Sequence, residues 1–498
     1  RRIYLEAMVD YNRTFGRHDV NAMLLYNQDE LVNNVPGNNL INSLPKRKQG
    51  LAGRLSYAYD GKYMAEVNMG YNGSENFAKG HRWGFFPSIA LGYNISEESF
   101  FEPLRKVITS MKLRGSWGLV GNDQIGGERF IYMPTINLSG KGFTTGIDQN
   151  YGLSGPVYTR YENNSITWEV GEKINLGIDL QLLNSLNIVV DIFRETRRDI
   201  FQKKGTIPTY LGTGNTDVFG NLAEMKNQGL DLSIDYNKAF SKDFYMNFKG
   251  TFTYAHNEIT KYDETPKYAF QSKVGQSANV SQGYLSNGLF LDEAEIDRYN
   301  QQMGSTLGAG DIKYLNVSNM HGYGDDIVDV DDWTWIGNPT VPEIVYGFGP
   351  SFKYKNWDFS FFFQGVAKTS LFMSGFHPFG DNSLRNVLQF VANDRWSPTN
   401  QNVDAKYPRL TRKTSLNNTN PGNSGRTSDY WMRDGSFLKL KNMELGYTFK
   451  RMRFYISGSN LLTFSKFDLW DPEQGGGSGL KYPTQRVFNV GFQMTFNN

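Results

Sequence analysis

The sequence predicts an all-β protein, and within that class an antiparallel transmembrane β-barrel. Three observations lead there. Apolar side chains recur at every second residue in many short segments. The connections between those segments take turns between tight and long. No apolar run approaches the ~18–20 residues that a membrane-crossing helix needs, while a barrel strand hides its signal in a period of two because lipid-facing and lumen-facing side chains alternate.

The strands follow in chain order. Ile3, Leu5 and Ala7 already alternate at the start of the chain. Tyr63, Ala65, Val67, Met69 and Tyr71 form the next clear stripe, and Phe85, Pro87, Ile89, Leu91 and Tyr93 another. Residues 96–108 can carry one short helix; helical stripes are otherwise nearly absent. The alternation resumes with Ile174, Leu176, Ile178, Leu180 and Leu182, then Leu230, Leu232, Ile234 and Tyr236, then Met246, Phe248, Phe252 and Tyr254. It closes on Phe488, Val490, Phe492, Met494 and Phe496, which are expected to face lipid. Asn497 and Asn498 follow Phe496, so the chain does not end on an aromatic residue as barrels of this kind usually do. Tyr57, Tyr59, Tyr93, Tyr447 and Phe449 stand near strand ends, where aromatic rings anchor a barrel in the headgroup layer.

Tight connections are expected at 15–17, 60–61, 183–185, 240–243, 355–356 and 450–451. Long ones are expected at about 29–47, 72–82, 121–165, 196–222, 256–343, 367–435 and 463–485, with an intermediate link at 95–106. Turns on one rim and loops on the other are the pattern of an outer-membrane barrel; a sandwich or a propeller has no reason to sort its loops this way. The strand count is 15, or 17 if residues 284–291 and 311–317 join the wall. Bacterial single-chain barrels have even numbers of strands, and the chain opens inside a strand without an initiator Met. Residues 1–498 therefore read as the C-terminal part of one barrel, about 15–17 of 22 strands, with the plug expected outside this sequence.

Composition narrows the function. The 52 Lys+Arg against 50 Asp+Glu give a net charge of +2, too even for a nucleic-acid reader. Cys is absent, which removes disulfides, thiolate nucleophiles and Cys-ligated zinc together. The five His residues are scattered. Aromatics reach 15%, with 52 Gly, and yet the mean hydropathy is −0.51, the composition of alternating strands.

One segment runs from Trp431 through Met432, Arg433, Asp434, Gly435, Ser436, Phe437, Leu438, Lys439, Leu440 and Lys441 to Asn442, and continues in Leu445, Gly446 and Tyr447. Further stations are Gly310-Asp311-Ile312-Lys313-Tyr314, Ile336-Gly337-Asn338-Pro339, Arg395-Trp396-Ser397-Pro398, Tyr407-Pro408-Arg409, Asp471-Pro472-Glu473 and Tyr482-Pro483. A weaker one is Asn227-Gln228-Gly229-Leu230. Together these segments resemble the SusC/RagA family of TonB-dependent outer-membrane transporters from the Bacteroidetes. The resemblance implies a plug and a TonB-contacting segment, a SusD-like surface lipoprotein that opens as a lid, and pairing of such complexes into dimers. It also implies import of oligosaccharides or peptides across the outer membrane without chemistry on the substrate.

The acidic run 324–332 falls where the family carries a loop resembling a calcium site, in which alternate carboxylates converge on a hard cation. Asp325, Asp329 and Asp331 are the candidate ligands. His321 and Tyr323 stand where Asp and Asn would be, and Asp326 replaces the turn Gly, so two ligands are lost; a solvated acidic loop is the competing reading. Trp333, Trp335, Phe376, His377 and Phe379 are candidate substrate contacts, since aromatic faces stack on sugars and line ligand sites. Trp396, Tyr430 and Trp431 lie in the resembling segments and are candidates for packing the loop base or the lid. No cofactor is implied and no catalytic constellation is visible. The function expected is TonB-dependent import with a lipoprotein lid. A siderophore or cobalamin receptor, a passive porin or adhesin barrel and a soluble carbohydrate-binding β protein are the rivals.

Overall fold

The structure is a computed structural model that describes residues 1–33, 40–126, 129–208, 210, 216–299, 301–302, 307–375, 386–411 and 427–496. Fifteen strands hydrogen-bond into one antiparallel sheet in strict chain order. They are numbered here β1 to β15: Arg2–Phe15, His18–Leu31, Lys46–Tyr59, Tyr63–Ser74, Trp83–Asn94, Ile108–Asn122, Glu169–Leu182, Leu186–Lys203, Phe219–Ala239, Phe244–Lys261, Ile344–Tyr354, Trp357–Ala367, Phe437–Phe449, Met452–Ser465 and Val487–Met494. No helix among the described residues is long and apolar enough to cross a membrane.

The turns explain the tight connections. Asp60 and Gly61 both adopt positive φ, 53° and 65°, the pair of conformations that lets a two-residue hairpin match the twist of its strands. Leu183 and Asn184 do the same at 51° and 54°. Residues 96–108 hold a turn of 3₁₀ helix, Ser99–Leu104, interrupted by Pro103, rather than an α-helix. The segments 284–291 and 311–317 stay out of the wall. Within them, Ser286–Leu289 and Ile312–Tyr314 form a small two-stranded sheet with each other, and Leu289, Ile312 and Tyr314 are fully buried in the loops.

By backbone contacts the chain forms two compact units. One holds Arg1–Asp231, His256–Thr265 and Lys273–Gly275; the other holds Leu232–Ala255, Pro266–Ser272 and Gln276–Asn498. In the first unit the registers carry a single apolar face across five strands. Leu24 stands opposite Val9, Leu51 opposite Tyr26, Tyr71 opposite Leu51 and Phe85 opposite Tyr71. Val9 is 71% exposed, Leu24 55% and Leu91 58%, so this face is left open among the described residues. Stacked rings close it at both ends, Tyr63 on Tyr93 at 5.2 Å and Tyr71 on Trp83 at 4.7 Å. Tyr63 and Tyr71 are eight residues apart on β4, about 27 Å along a strand, which a tilt reduces to the height of a hydrocarbon band. The opposite face is polar. Arg114 Nη2 donates to Asp179 at 2.7 Å and to Asp191 at 3.1 Å, and a hollow of ≈750 Å³ is lined by Asn12, Asn21, Ser56, Glu66, Lys112 and Arg114 among others.

The second unit repeats the arrangement. Phe454 meets Phe492 at 5.2 Å on the apolar face, and Arg453 bridges Asp358 and Glu444 on the polar one. Val490 is 88% exposed and Phe488 76%. The cores lie elsewhere. One gathers Phe77, Ile125, Ile131, Ile166 and Trp168, and the other gathers Tyr284, Tyr314, Trp396, Tyr407, Trp431 and their neighbours. Among the described residues no buried member of either core belongs to a wall strand.

The register of β15 is open to test. Arg at Phe492 places a charge on the apolar face and is expected to cost about 2–4 kcal/mol at mid-depth. Arg at Asn489, on the polar face, is expected to cost far less. Gly491 is a poor control because Tyr455 covers it, with ring carbon Cζ 2.1 Å from where a Cβ would stand. Urea titration of the refolded protein in lipid vesicles reads both variants, and equal losses would overturn the register.

Candidate functional site

The loops after β10 and β12 fold together into one body on the long-loop rim. Short strand pairs stitch them: Ser281–Gly283 with Thr334–Ile336, and Ser370–Phe372 with Met432–Asp434. Backbone bonds cross between the two loops, from Tyr284 N–H to Thr427 O at 2.8 Å, Leu289 N–H to Val403 O at 2.8 Å and Arg409 N–H to Gly310 O at 2.9 Å. Pairing of this kind satisfies backbone groups that burial would otherwise strand.

The segments noted in the sequence meet here side chain to side chain. Arg409 presents its fork to Asp311, Nε to Oδ1 at 2.5 Å and Nη2 to Oδ2 at 2.9 Å, and Asp311 is fully buried. Such bidentate pairs fix orientation as well as energy. Beside it Gly310 sits at φ 84°, and the Trp396 indole lies where a Cβ would be, 2.4 Å away. Only glycine allows both the backbone conformation and that approach. Gly337, at φ 65°, makes the same room for Met432 Sδ. Lys439 is 1% exposed, and its ammonium bonds Glu473 at 2.8 Å and also Asp471. That contact ties the loop 466–486 down onto the end of β13.

Trp396 and Trp431 lie in the rim core, with Tyr407 edge-on to Trp431 at 5.6 Å. Tyr430 packs against them and donates its hydroxyl to Ala405 O at 2.7 Å. Burial pushes the phenols of Tyr407 and Tyr430 well above their ordinary range, so both stay protonated donors. Trp333 also packs against this core, edge-on to Tyr284. Trp335 is half-buried and donates Nε1–H to Ser272 O at 2.8 Å. The rings of Trp333 and Trp335 are thus committed largely to the fold. Phe376, His377 and Phe379 lie outside the described residues.

The structure brings Asp325, Asp329 and Asp331 together, one carboxylate oxygen of each within 4.8 Å of the others. One oxygen of each already accepts from a donor of the protein itself, which leaves the second oxygen of each carboxylate. Asp325 Oδ1 accepts from Asn316 Nδ2 at 3.2 Å, Ser318 Oγ at 3.3 Å and Ile327 N–H at 3.2 Å. Burial raises the Asp325 carboxyl, but these donors outweigh it and hold it below the usual carboxylate range. Asp329 caps the turn by accepting from Asp331 N–H at 2.8 Å. Asp331 pairs with the Lys267 ammonium, a partner 64 residues upstream that the acidic run gave no hint of. Asp332, fully buried, binds Ser318 N–H at 2.9 Å and Asp329 N–H at 2.8 Å, and burial pushes its carboxyl up. Next to this loop an outward ring cluster forms from Tyr268, Phe270, His321 and Tyr323, with Phe270 on His321 at 4.6 Å and Tyr268 on Tyr323 at 4.3 Å. His321 and Tyr323 are exposed.

Sequence reasoning missed the Asp311–Arg409 and Lys439–Asp471–Glu473 contacts. Each residue sat inside a noted segment, but a separation of 98 or 32 residues carries no pairing signal.

The family model for the TonB dependent receptor-like β-barrel matches residues 2–461. The chain belongs to that family. Its members are outer-membrane barrels, which places this chain in the outer membrane. TonB-dependent receptor P3 of Formosa agariphila is 25% identical over 99% of this chain and 52% of the relative. TonB-dependent receptor SusC of Bacteroides thetaiotaomicron is 28% identical over 89% of this chain and 43% of the relative. The chain thus spans about half the length of the curated relatives it matches. The solved RagAB peptide transporter superposes with a TM-score of 0.72 at 20% identity, over 99% of this chain and 55% of that one, which shows the shared fold.

Two outcomes follow from the rim. Arg409→Met removes the counter-charge of the buried Asp311 carboxylate and leaves it the Gly308 N–H among its donors, and breaking such an ion pair costs about 3–5 kcal/mol. Limited proteolysis should then cut the rim loops while the barrel still migrates as a folded band in unheated gels. Wild-type protease resistance would show that the pair does not anchor the rim. Lys267→Met removes the counter-charge of Asp331, so calcium should bind the variant more tightly than the wild type in calorimetric titration after chelation. Equal or weaker binding by the variant would show that the ammonium does not compete for that site.

Proposed function

We propose that the whole protein imports oligosaccharides or peptides across the outer membrane, driven through TonB and completed by a SusD-like lipoprotein lid. The observation that carries this reading is the family match over residues 2–461 together with a similarity to SusC that reaches across 89% of the chain. The folded rim supports it, since loops far longer than closure requires usually bind something, and here they build a surface on a packed base. In this reading the plug supplies the TonB contact, and two transporter–lipoprotein pairs associate through barrel surfaces.

Substrate contact is proposed for the ring cluster of the exposed His321 and Tyr323 with the half-buried Tyr268 and Phe270, rather than for Trp333 and Trp335, whose faces hold the rim together. Rings stack on sugar faces without strict sequence demands, and the neighbouring Asp carboxylates suit hydroxyl donors. The substrate leaves unchanged, because the task is passage and the relatives named are receptors and transporters.

The test is uptake by cells carrying the full-length gene, with labelled oligosaccharides and labelled peptides offered in parallel. Uptake of at least one class should stop when TonB is deleted, and a lipoprotein should copurify with the barrel. His321→Ala with Tyr323→Ala should slow uptake while insertion stays normal. Uptake that survives loss of TonB would point to a passive pore, and hydrolysis of substrate by the purified complex would overturn the transporter reading.

A further inference from the structure

On the apolar face of the first unit, the long-loop end breaks the lipid-facing pattern. Gln28, Gln49, Gly73 and Trp83 form one register row across β2 to β5, and Glu30 stands opposite both Ile3 and Arg47 in the next. Both rows continue the stripe of Leu5, Leu24, Leu51, Tyr71 and Phe85, so their side chains stand on the lipid-facing side, one step beyond the hydrocarbon band. They line a notch of ≈490 Å³. Trp83 forms one wall. Its ring lies over Gly73, 3.1 Å from where a Cβ would be, and stacks on Tyr71.

The charges in the notch are arranged rather than scattered. Arg47 Nε donates to Glu30 Oε2 at 2.7 Å, and its Nη1 stands 3.6 Å from Glu75 Oε1. A guanidinium carries five N–H donors, and these contacts orient it while 54% of the side chain stays open; Glu30 and Glu75 keep 34% and 30% open. What reaches this face is set by continuity with the bilayer below it: a headgroup of the leaflet on the long-loop side. Of the other charged residues along the notch, Asp29 is paired with Arg2, Lys48 with Asp123, and Arg82 donates to Phe77 O; the two carboxylates beside the Arg47 guanidinium repel a headgroup that is only anionic. A headgroup with both a phosphate and an N–H-bearing ammonium complements the set.

We propose that this notch is a binding site for a phosphoethanolamine-bearing lipid. The phosphate takes the open N–H groups of Arg47, and the ammonium lies between Glu30 and Glu75. The amides of Gln28 and Gln49 face the ester oxygens, and the acyl chains run down over Leu51, Tyr71 and Phe85. The proposal goes beyond transport and rests only on the placement of this chain in the outer membrane.

The full-length protein, stripped of lipid in detergent, tests it by native mass spectrometry with three lipids of matched acyl chains. Phosphatidylethanolamine carries both groups, phosphatidylcholine has an ammonium without N–H donors, and phosphatidylglycerol has the phosphate alone. The wild type should retain phosphatidylethanolamine several-fold over the other two. Arg47→Gln should bring it down to the phosphatidylcholine level, and Glu30→Gln with Glu75→Gln should shift retention toward phosphatidylglycerol. Arg453→Gln, on the polar face of the second unit between Asp358 and Glu444, should change nothing. Equal retention of all three by the wild type, or an undiminished preference in Arg47→Gln, would overturn the site. A wild-type preference for phosphatidylglycerol would overturn the zwitterionic headgroup.

Discussion

Everything in this molecule follows from a wall that must satisfy its backbone without water. In hydrocarbon a peptide N–H or C=O has no partner except the next strand. Fifteen strands paired in chain order meet that demand along every seam between neighbours. The same pairing forces side chains to alternate, so one face of every strand belongs to lipid and the other to a polar interior. Val9 at 71% and Val490 at 88% exposure stand on the apolar faces that this alternation sets apart from the polar ones.

A wall spent on lipid contact cannot supply a hydrophobic core, and the core moves to the rim. Phe77 and Trp168 centre one such cluster, Tyr284 and Trp431 the other. This displacement explains why the long loops are not loose. Hydrophobic burial, buried ion pairs and the close approaches at Gly310 and Gly337 act there as they do inside a soluble domain, with Arg409 on Asp311 and Lys439 on Glu473 as the polar joints. The segments by which the sequence resembles its relatives are mostly the contact points of this rim, which is why short motifs far apart in the chain travel together.

The acidic loop shows how a tempting pattern can be answered locally. Asp325, Asp329 and Asp331 converge as a cation site requires. Asn316, Ser318 and Ile327 donate to Asp325, and Lys267 pairs with Asp331, so the loop holds its shape through the protein's own donors. The surface left facing outward is the ring cluster around His321 and Tyr323, and a site for large, soft, hydroxyl-rich or peptide-like cargo asks for that kind of surface.

By itself the sequence determined the wall. A period of two, the turn chemistry of Asp60-Gly61 and the sorting of short and long connections are local signals, and strand pairing between chain neighbours needs nothing more. It determined the family as well, because each resembling segment is contiguous. It did not determine the rim. Whether residues 284–291 belong to the wall, whether Trp333 faces cargo or core, and which cation meets Asp331 all depend on contacts between residues tens of positions apart. An Asp and an Arg separated by 98 residues leave no periodic trace, and only the folded loops, in burying one carboxylate beside one guanidinium, decided that they meet.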